Sequence, residues 1–162
     1  MSTVAVTRLI DAPPARVWQT FTDLAARARQ LTTVNSVEVV TTGPFAPGTV
    51  WRETRATPDG TPVTEEFHVE QVWPGRRYTV ASPGIGVDYR TTCTLTPIEM
   101  GRHRGGTLVT VVQEGSLNTP YARLLALIFG GLAARAVEGA LRQDLTELAR
   151  AATDTRDDPD AV

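Results

Sequence analysis

Through the middle of the chain apolar and polar residues alternate, and near both ends apolar residues recur every three or four positions. Residues 3–10, "TVAVTRLI", are rich in β-branched side chains and predict a strand. In "ARVWQTFTD", Val17, Trp18 and Phe21 fall at helical spacing, with Asp11 as the expected N-cap and Pro13 and Pro14 in a first turn that tolerates missing N–H groups. "DLAARARQL" predicts a second short helix capped by Asp23. From residue 37 to residue 116 the period is two, in the runs "SVEVVTTG", "GTVWRETRAT", "PVTEEFHVEQVW", "RRYTVAS", "VDYRTTCTLTPI" and "TLVTVVQEG". The turns between them, "GPFAPG", "PDG", "PG", "PGIG" and "GRHRGG", are short, which predicts an antiparallel meander. A helical pattern returns from Asn118 to Ala152, with Asn118 or Thr119 as cap and Pro120 in the first helical position. The predicted order is one strand, two short helices, six strands and one long helix.

Side-chain alternation then assigns faces. Centring the first hairpin on Asp59–Gly60, as a two- or four-residue loop, pairs Thr54 with Glu65, Arg52 with Phe67 and Val50 with Val69. Val50, Ala56, Val63, Phe67 and Val69 then face inward, while Trp51, Glu53, Arg55, Glu66, His68 and Glu70 face outward. A three-residue loop would flip one of the two strands. The next turns place Val69 opposite Val80, Gln71 opposite Tyr78, Val80 near Tyr89 and Tyr78 near Thr91. Across the arginine-rich loop Leu95 meets Val109, Cys93 meets Val111 and Thr91 meets Gln113. The inner face so defined also carries Arg52, Thr54, Glu65, Tyr78, Ser82, Tyr89, Thr91 and Gln113. Each unpaired buried polar group costs about 1–3 kcal/mol, so this set either pairs internally, with Arg52 and Glu65 as diagonal neighbours, or lines a wet or liganded cavity. Some of its members would otherwise lie at exposed strand ends.

The long helix opens with "LLALIFGGLAA", residues 124–134. Its 11 uncharged residues fall well short of the ~20 a membrane span needs, so no integral membrane association is expected. An apolar surface running around most of the circumference suits a helix enclosed by a wrapped sheet better than one lying on an open sheet. Gly130, Gly131 and Gly139 each cost about 1 kcal/mol relative to alanine in a helix. They imply either close packing or volume left for a ligand, and Ile128, Gly131 and Leu132 are candidates to face that volume.

Composition narrows the function. The chain of 162 residues reads as a single domain over 1–152, followed by an acidic, apolar-poor tail at 153–162 that is expected to be disordered. A net charge of −2 provides no field for nucleic acid. The lone Cys93 has no disulfide partner in the chain, and the N-terminus has no basic region followed by a long apolar run. Both fit a cytoplasmic protein, monomeric or homodimeric. No metal-ligand spacing is present, and no metal or nucleotide cofactor is expected. His68 falls on the outer face and His103 in the "GRHRGG" loop, which leaves neither for a nucleophilic triad. Cys93 reads as a core thiol. Neither "GIG" nor "GRHRGG" lies between a strand and a helix as a phosphate loop would. The remaining chemistry is carried by Glu65 and the tyrosines. A buried Glu65 with a raised pKa would serve as acid or base, and Tyr78 or Tyr89 would hydrogen-bond a carbonyl oxygen.

The junction "IDAPPARVWQTFTD", with Ile10, Ala12, Pro13, Val17, Trp18 and Asp23 in place, resembles the opening of the START-related helix-grip superfamily (SRPBCC), which includes polyketide cyclase/dehydrase-like proteins. "EFHVEQVWPGRRYTV" and "GGTLVTVVQE" resemble that family's strand–turn–strand element and its penultimate strand. The resemblance spans about residues 3–152. It implies an α+β helix-grip fold, a seven-stranded curved antiparallel sheet wrapped around the C-terminal helix, with a cavity between them. It also implies a small hydrophobic ligand such as a lipid, polyketide or aromatic metabolite, and it carries no catalytic residue across. The expected ligand contacts are Arg52, Thr54, Glu65, Phe67, Tyr78, Tyr89, Thr91, Gln113, Ile128, Gly131 and Leu132. Three roles stay open: a carrier or sensor, a cyclase/dehydratase using Glu65 and Tyr89, and a protein-interaction module with an apolar patch around Trp51.

Overall fold

A computed structural model describes residues 1–57 and 59–154; the side chains of residues 124–130 and 132 lie outside that description. The elements come in the predicted order. They are β1 (Ser2–Ile10), α1 (Pro14–Thr22), a 3-10 turn at Leu24–Ala26, α2 (Arg27–Gln30), β2 (Val34–Val39), β3 (Val50–Ala56), β4 (Pro62–Trp73), β5 (Arg77–Ser82), β6 (Val87–Pro97), β7 (Thr107–Leu117) and α3 (Pro120–Thr153). The seven strands form one antiparallel sheet in the order β1-β7-β6-β5-β4-β3-β2. This is a curved meander closed at one edge by the first strand, with the helices against its inner side: the expected α+β helix-grip arrangement.

Local chemistry explains the helix boundaries. Asp11 does not cap α1. The residue before a proline is driven to extended backbone, so Pro13, with ψ of 151°, holds the N-cap position ahead of Pro14. Asp23 does cap the next turn, its Oδ1 accepting from the Ala26 N–H at 3.2 Å. Thr119 Oγ1 accepts from the Ala122 N–H at 3.1 Å and opens α3, with Pro120 at the first helical position. The tail from residue 155 onward lies outside the described residues.

The β6–β7 register is the expected one, with Thr91 opposite Gln113, Cys93 opposite Val111 and Leu95 opposite Val109. Val69 faces Val80 as expected, but an irregularity after Val69 sets Tyr78 opposite Val72 instead of Gln71. Between β5 and β6 the pairing is displaced by two residues: Tyr78 faces Cys93, Val80 faces Thr91 and Ser82 faces Tyr89. An even displacement keeps every side chain on its expected face.

The β3–β4 hairpin overturns an expectation. Its loop has three residues, 58–60, between Thr57 and Thr61, whose backbones meet at 2.9 Å, and Gly60 takes φ of +86°. A three-residue turn closed by a left-handed glycine is a standard hairpin form. Trp51 therefore pairs with Phe67 and Glu53 with Glu65, and β3 is flipped by one residue relative to expectation. Trp51, Glu53 and Arg55 point inward. Arg52 and Thr54 point outward: Arg52 pairs with Glu66 at 2.8 Å and Glu38 at 3.6 Å, and Thr54 meets Thr64 at 2.9 Å. The expected Arg52–Glu65 pair does not form.

Two apolar clusters hold these layers. One joins Val6 and Ile10 of β1, Val17 and Phe21 of α1, Cys93, Leu95 and Val109 of the sheet, and Leu145, Leu148, Ala149 and Ala152 of α3. The four α3 residues lie at i, i+3, i+4 and i+7, a single core-facing stripe. The other joins Leu24, Trp51, Val69 and Val80, with Phe45, Phe67 and Tyr78 packed against it. The second half of α3 is also pinned by polar contacts. Glu147 accepts from the Thr32 N–H at 2.7 Å and hydroxyl at 2.6 Å, and Arg16 donates to the carbonyl oxygens of Ala152 and Asp154.

Candidate functional site

Between the two clusters the sheet and α3 do not close on each other. A cavity of about 310 Å³ opens there, walled by Phe21, Phe45, Trp51, Phe67, Tyr78 and Tyr89, with Val137, Ala140 and Leu141 of α3 across from them. Arg27, Arg55, Glu65, Thr91, Gln113 and Asp144 supply its polar wall. A second space of about 510 Å³ adjoins it, lined by Val4, Val87, Gly115, Leu117, Ala133 and Ala134 among others. Tyr89, Gln113 and Val137 line both, so the two spaces are neighbours across these three residues. Gly115 is closely packed there: a Cβ would lie 3.0 Å from the Ser2 hydroxyl and 3.3 Å from the Tyr89 ring.

The aromatic wall is built by contact between elements distant in sequence. Phe45 lies edge-on to Tyr78 at 5.2 Å, Trp18 lies edge-on to Tyr78 at 5.8 Å, and Trp51 stacks on Phe67 at 5.0 Å. Such offset and edge-to-face pairs fix ring orientation as well as burying area.

The charged wall is organised by Glu53, whose side chain is fully buried. It is bound by Arg27 of α2, by Arg55 at 2.9 Å and by the Trp51 indole N–H at 2.9 Å. Arg55 continues to Asp144 of α3 through two hydrogen bonds of 3.1 and 2.9 Å, and to the Thr33 hydroxyl at 3.0 Å. One chain of ion pairs thus ties α2, β3 and α3 together beside the cavity. Burial pushes the Glu53 carboxyl upward, but Arg27 and then Arg55 outweigh it and hold it below its ordinary value. Burial also opposes the Arg55 charge, and Asp144 and Glu53 more than restore it.

Glu65 stands apart. Among the described residues it makes no hydrogen bond or ion pair. Its side chain is solvent-accessible and opens onto the cavity it lines. The protein packed around it still holds its pKa above the ordinary carboxylate value by partial burial, with Arg55 opposing and Glu53 reinforcing. Burial raises the Tyr89 hydroxyl, and the neighbouring Glu65 raises it further. The Tyr78 hydroxyl is pushed well up by burial.

Of the expected contacts, Glu65, Phe67, Tyr78, Tyr89, Thr91 and Gln113 converge on the first compartment. Arg52 and Thr54 are on the opposite face. Gly131 is exposed and absent from the described lining, and among the described residues no atom lies within 4 Å of where its Cβ would stand. The side chains of Ile128 and Leu132 lie outside the described residues. Trp51 is 4% exposed and forms no outer patch. Arg27, Phe45, Arg55 and Asp144 were not foreseen. Phe45, a large aromatic isolated between two turn signals, was the readable one, because such a residue in a loop usually inserts into something.

His68 lies on the outer face against Glu66 at 2.7 Å, and His103 is exposed in its loop. Among the described residues no three His, Cys, Asp or Glu side chains cluster as metal ligands, and no helix is long and apolar enough to cross a membrane. Cys93 is 1% exposed, and burial pushes its thiol up to about 12. At pH 8 the folded protein is expected to react with a disulfide reagent about a thousandfold more slowly than the unfolded chain, since the thiolate is the reacting form. Stopped-flow thiol titration with and without denaturant measures the ratio.

Residues 1–153 match the family described as "Polyketide cyclase / dehydrase and lipid transport". The fold is similar to that of TTHA0849 from Thermus thermophilus, with a TM-score of 0.73 and 24% identity over 93% of this chain and 97% of that one. It is similar also to the di-domain ARO/CYC BexL from the BE-7585A biosynthetic pathway, with a TM-score of 0.72 and 22% identity over 94% of this chain and 50% of that one. Ara h 8.0201 aligns with a TM-score of 0.66 at 13% identity over 93% of this chain and 97% of that one. Among curated proteins no sequence match is found.

Proposed function

Because the chain belongs to the polyketide cyclase / dehydrase and lipid transport family, we propose that it binds a small hydrophobic molecule between the sheet and α3, as a carrier or sensor. The observation that carries this reading is the aromatic-walled cavity, with a second space neighbouring it across Tyr89, Gln113 and Val137. Ligand sites are concave, mostly apolar and equipped with a few polar groups, and a volume of hundreds of Å³ falls in their usual range.

A solvatochromic naphthalene-type fluorophore tests this reading. Titrated into the folded protein, it is expected to blue-shift and saturate at one molecule per chain, with energy transfer from Trp51 beside the cavity. Emission unchanged from buffer, at protein concentrations up to the millimolar range, would leave the cavity without a binding role.

A second reading, an enzyme of the cyclase/dehydratase type, is favoured by one feature: the unpaired Glu65 carboxyl beside Tyr89. A carboxyl with a raised pKa near an enolisable ring would move a proton, and a tyrosine hydroxyl would hold the adjacent carbonyl oxygen. The relatives named ARO/CYC make an aromatic polyketide the natural substrate class to try. If the protein is an enzyme, Glu65→Gln abolishes turnover while the ligand still binds; if it is a carrier, the same change alters affinity alone.

A further inference from the structure

The two compartments differ in chemistry, and the difference has a direction. The first holds, in its wall or directly behind it, two guanidinium groups, Arg27 and Arg55, and three carboxyl groups, Glu53, Glu65 and Asp144. Glu53 and Asp144 occupy the two arginines through the ion-pair chain. That leaves Glu65 facing the cavity with no partner among the described residues. The second compartment has no charged side chain in its described lining; the positive amino group of Met1 belongs to a rim residue that is 92% exposed.

From this asymmetry we infer that the ligand is an elongated amphiphile with a hydrogen-bond-donating head, an amine or a hydroxyl, held at Glu65, and an apolar tail in the second compartment. The inference rests on the binding role proposed above and specifies its ligand. The Glu65 side chain is solvent-accessible, and a donor head takes the place of water on its carboxyl through a charge-assisted hydrogen bond, the stronger kind. A carboxylate head instead brings a further negative charge to a wall where carboxyl groups already outnumber guanidinium groups, and juxtaposed like charges disfavour binding. Tyr89 and Gln113, which line both compartments, present neutral polar groups just where head gives way to tail.

Three ligands sharing one tail, namely decylamine, decanol and decanoate, separate head chemistry from tail burial. Each is titrated by calorimetry into the full chain at pH 8, below its micelle concentration, with wild type and Glu65→Gln in parallel. In wild type, the amine and the alcohol are expected to bind at least about tenfold more tightly than decanoate, the equivalent of one charge-assisted contact. In Glu65→Gln the three affinities are expected to converge to within about threefold. Decanoate binding as tightly as the other two in wild type would overturn the inference, as would the preference surviving in Glu65→Gln. If none of the three binds but the fluorophore does, the ligand class is wrong and the binding role stands; if the fluorophore also fails, both fall. Glu65→Ala repeats the test should the glutamine variant fail to fold.

Discussion

Changing Glu53 to glutamine is expected to destabilise the protein by about 3–5 kcal/mol, the usual result of removing one partner from a buried ion pair. The shape is kept and only the charge is lost, but Arg27 then has no anion, and Arg55 is left with Asp144 alone. Both arginine side chains are largely enclosed, at 12% and 27% exposure, so water does not replace the missing carboxylate. Arg52→Gln, one position away, should leave the urea midpoint where it is, because Arg52 lies on the exposed face where ion pairs contribute little. If β3 lay in the alternative register, the two variants would exchange behaviour, so equilibrium unfolding of this pair tests the hairpin as well as the network. The same carboxyl predicts a pH dependence. Its folded pKa lies below the unfolded value of 4.5, so the unfolded chain binds the extra proton. The stabilisation is fully present above that unfolded value and is lost as pH falls through the folded one. Glu53→Gln should flatten that part of the acid-unfolding curve.

The second large effect is on binding. Val137 is half-buried and lines both compartments, so an indole in its place projects into empty volume instead of packed atoms. Val137→Trp should therefore fold with a Tm near that of wild type, because overpacking costs arise where space is already filled. Ligand affinity should fall by roughly 50–100-fold. A ligand that spans both compartments is then denied burial of about three methylene groups, each contributing about 0.8 kcal/mol. Fluorophore titration of the variant beside wild type gives the ratio directly. Unchanged affinity would mean that the ligand never crosses the Tyr89–Gln113–Val137 junction.

What could be read from the chain alone follows the range of the forces involved. Turn residues and alternation act locally, and they gave the meander of β2 to β7 and the β6–β7 register with Thr91 and Gln113 inside, but not the pairing of β1 with β7, which joins the two ends of the sequence. Asp23 announced its cap, and the α3 cap was narrowed to Asn118 or Thr119, because a cap requires only its own next few residues. The β3 face was lost on a single unit of loop length, since a two- or four-residue loop and a three-residue loop give opposite answers and "TPDGT" is compatible with each. That one step hid Trp51, Glu53 and Arg55. Their polar pattern reads as a solvated face, and only the approach of Arg27 and Asp144, from elements far away in sequence, makes a buried carboxylate tenable. Glu65 and Tyr89 were legible because β4 and β6 kept their faces whichever way β3 turned.

The binding role requires the cavity to hold a molecule. Native mass spectrometry of the protein, purified without detergent and compared with Val137→Trp, addresses this in one measurement. A species heavier than the bare chain by one discrete mass, extractable into organic solvent and missing from the variant, is the predicted result. A bare-chain mass in both proteins, unchanged after incubation with decylamine, decanol and the fluorophore, would contradict it.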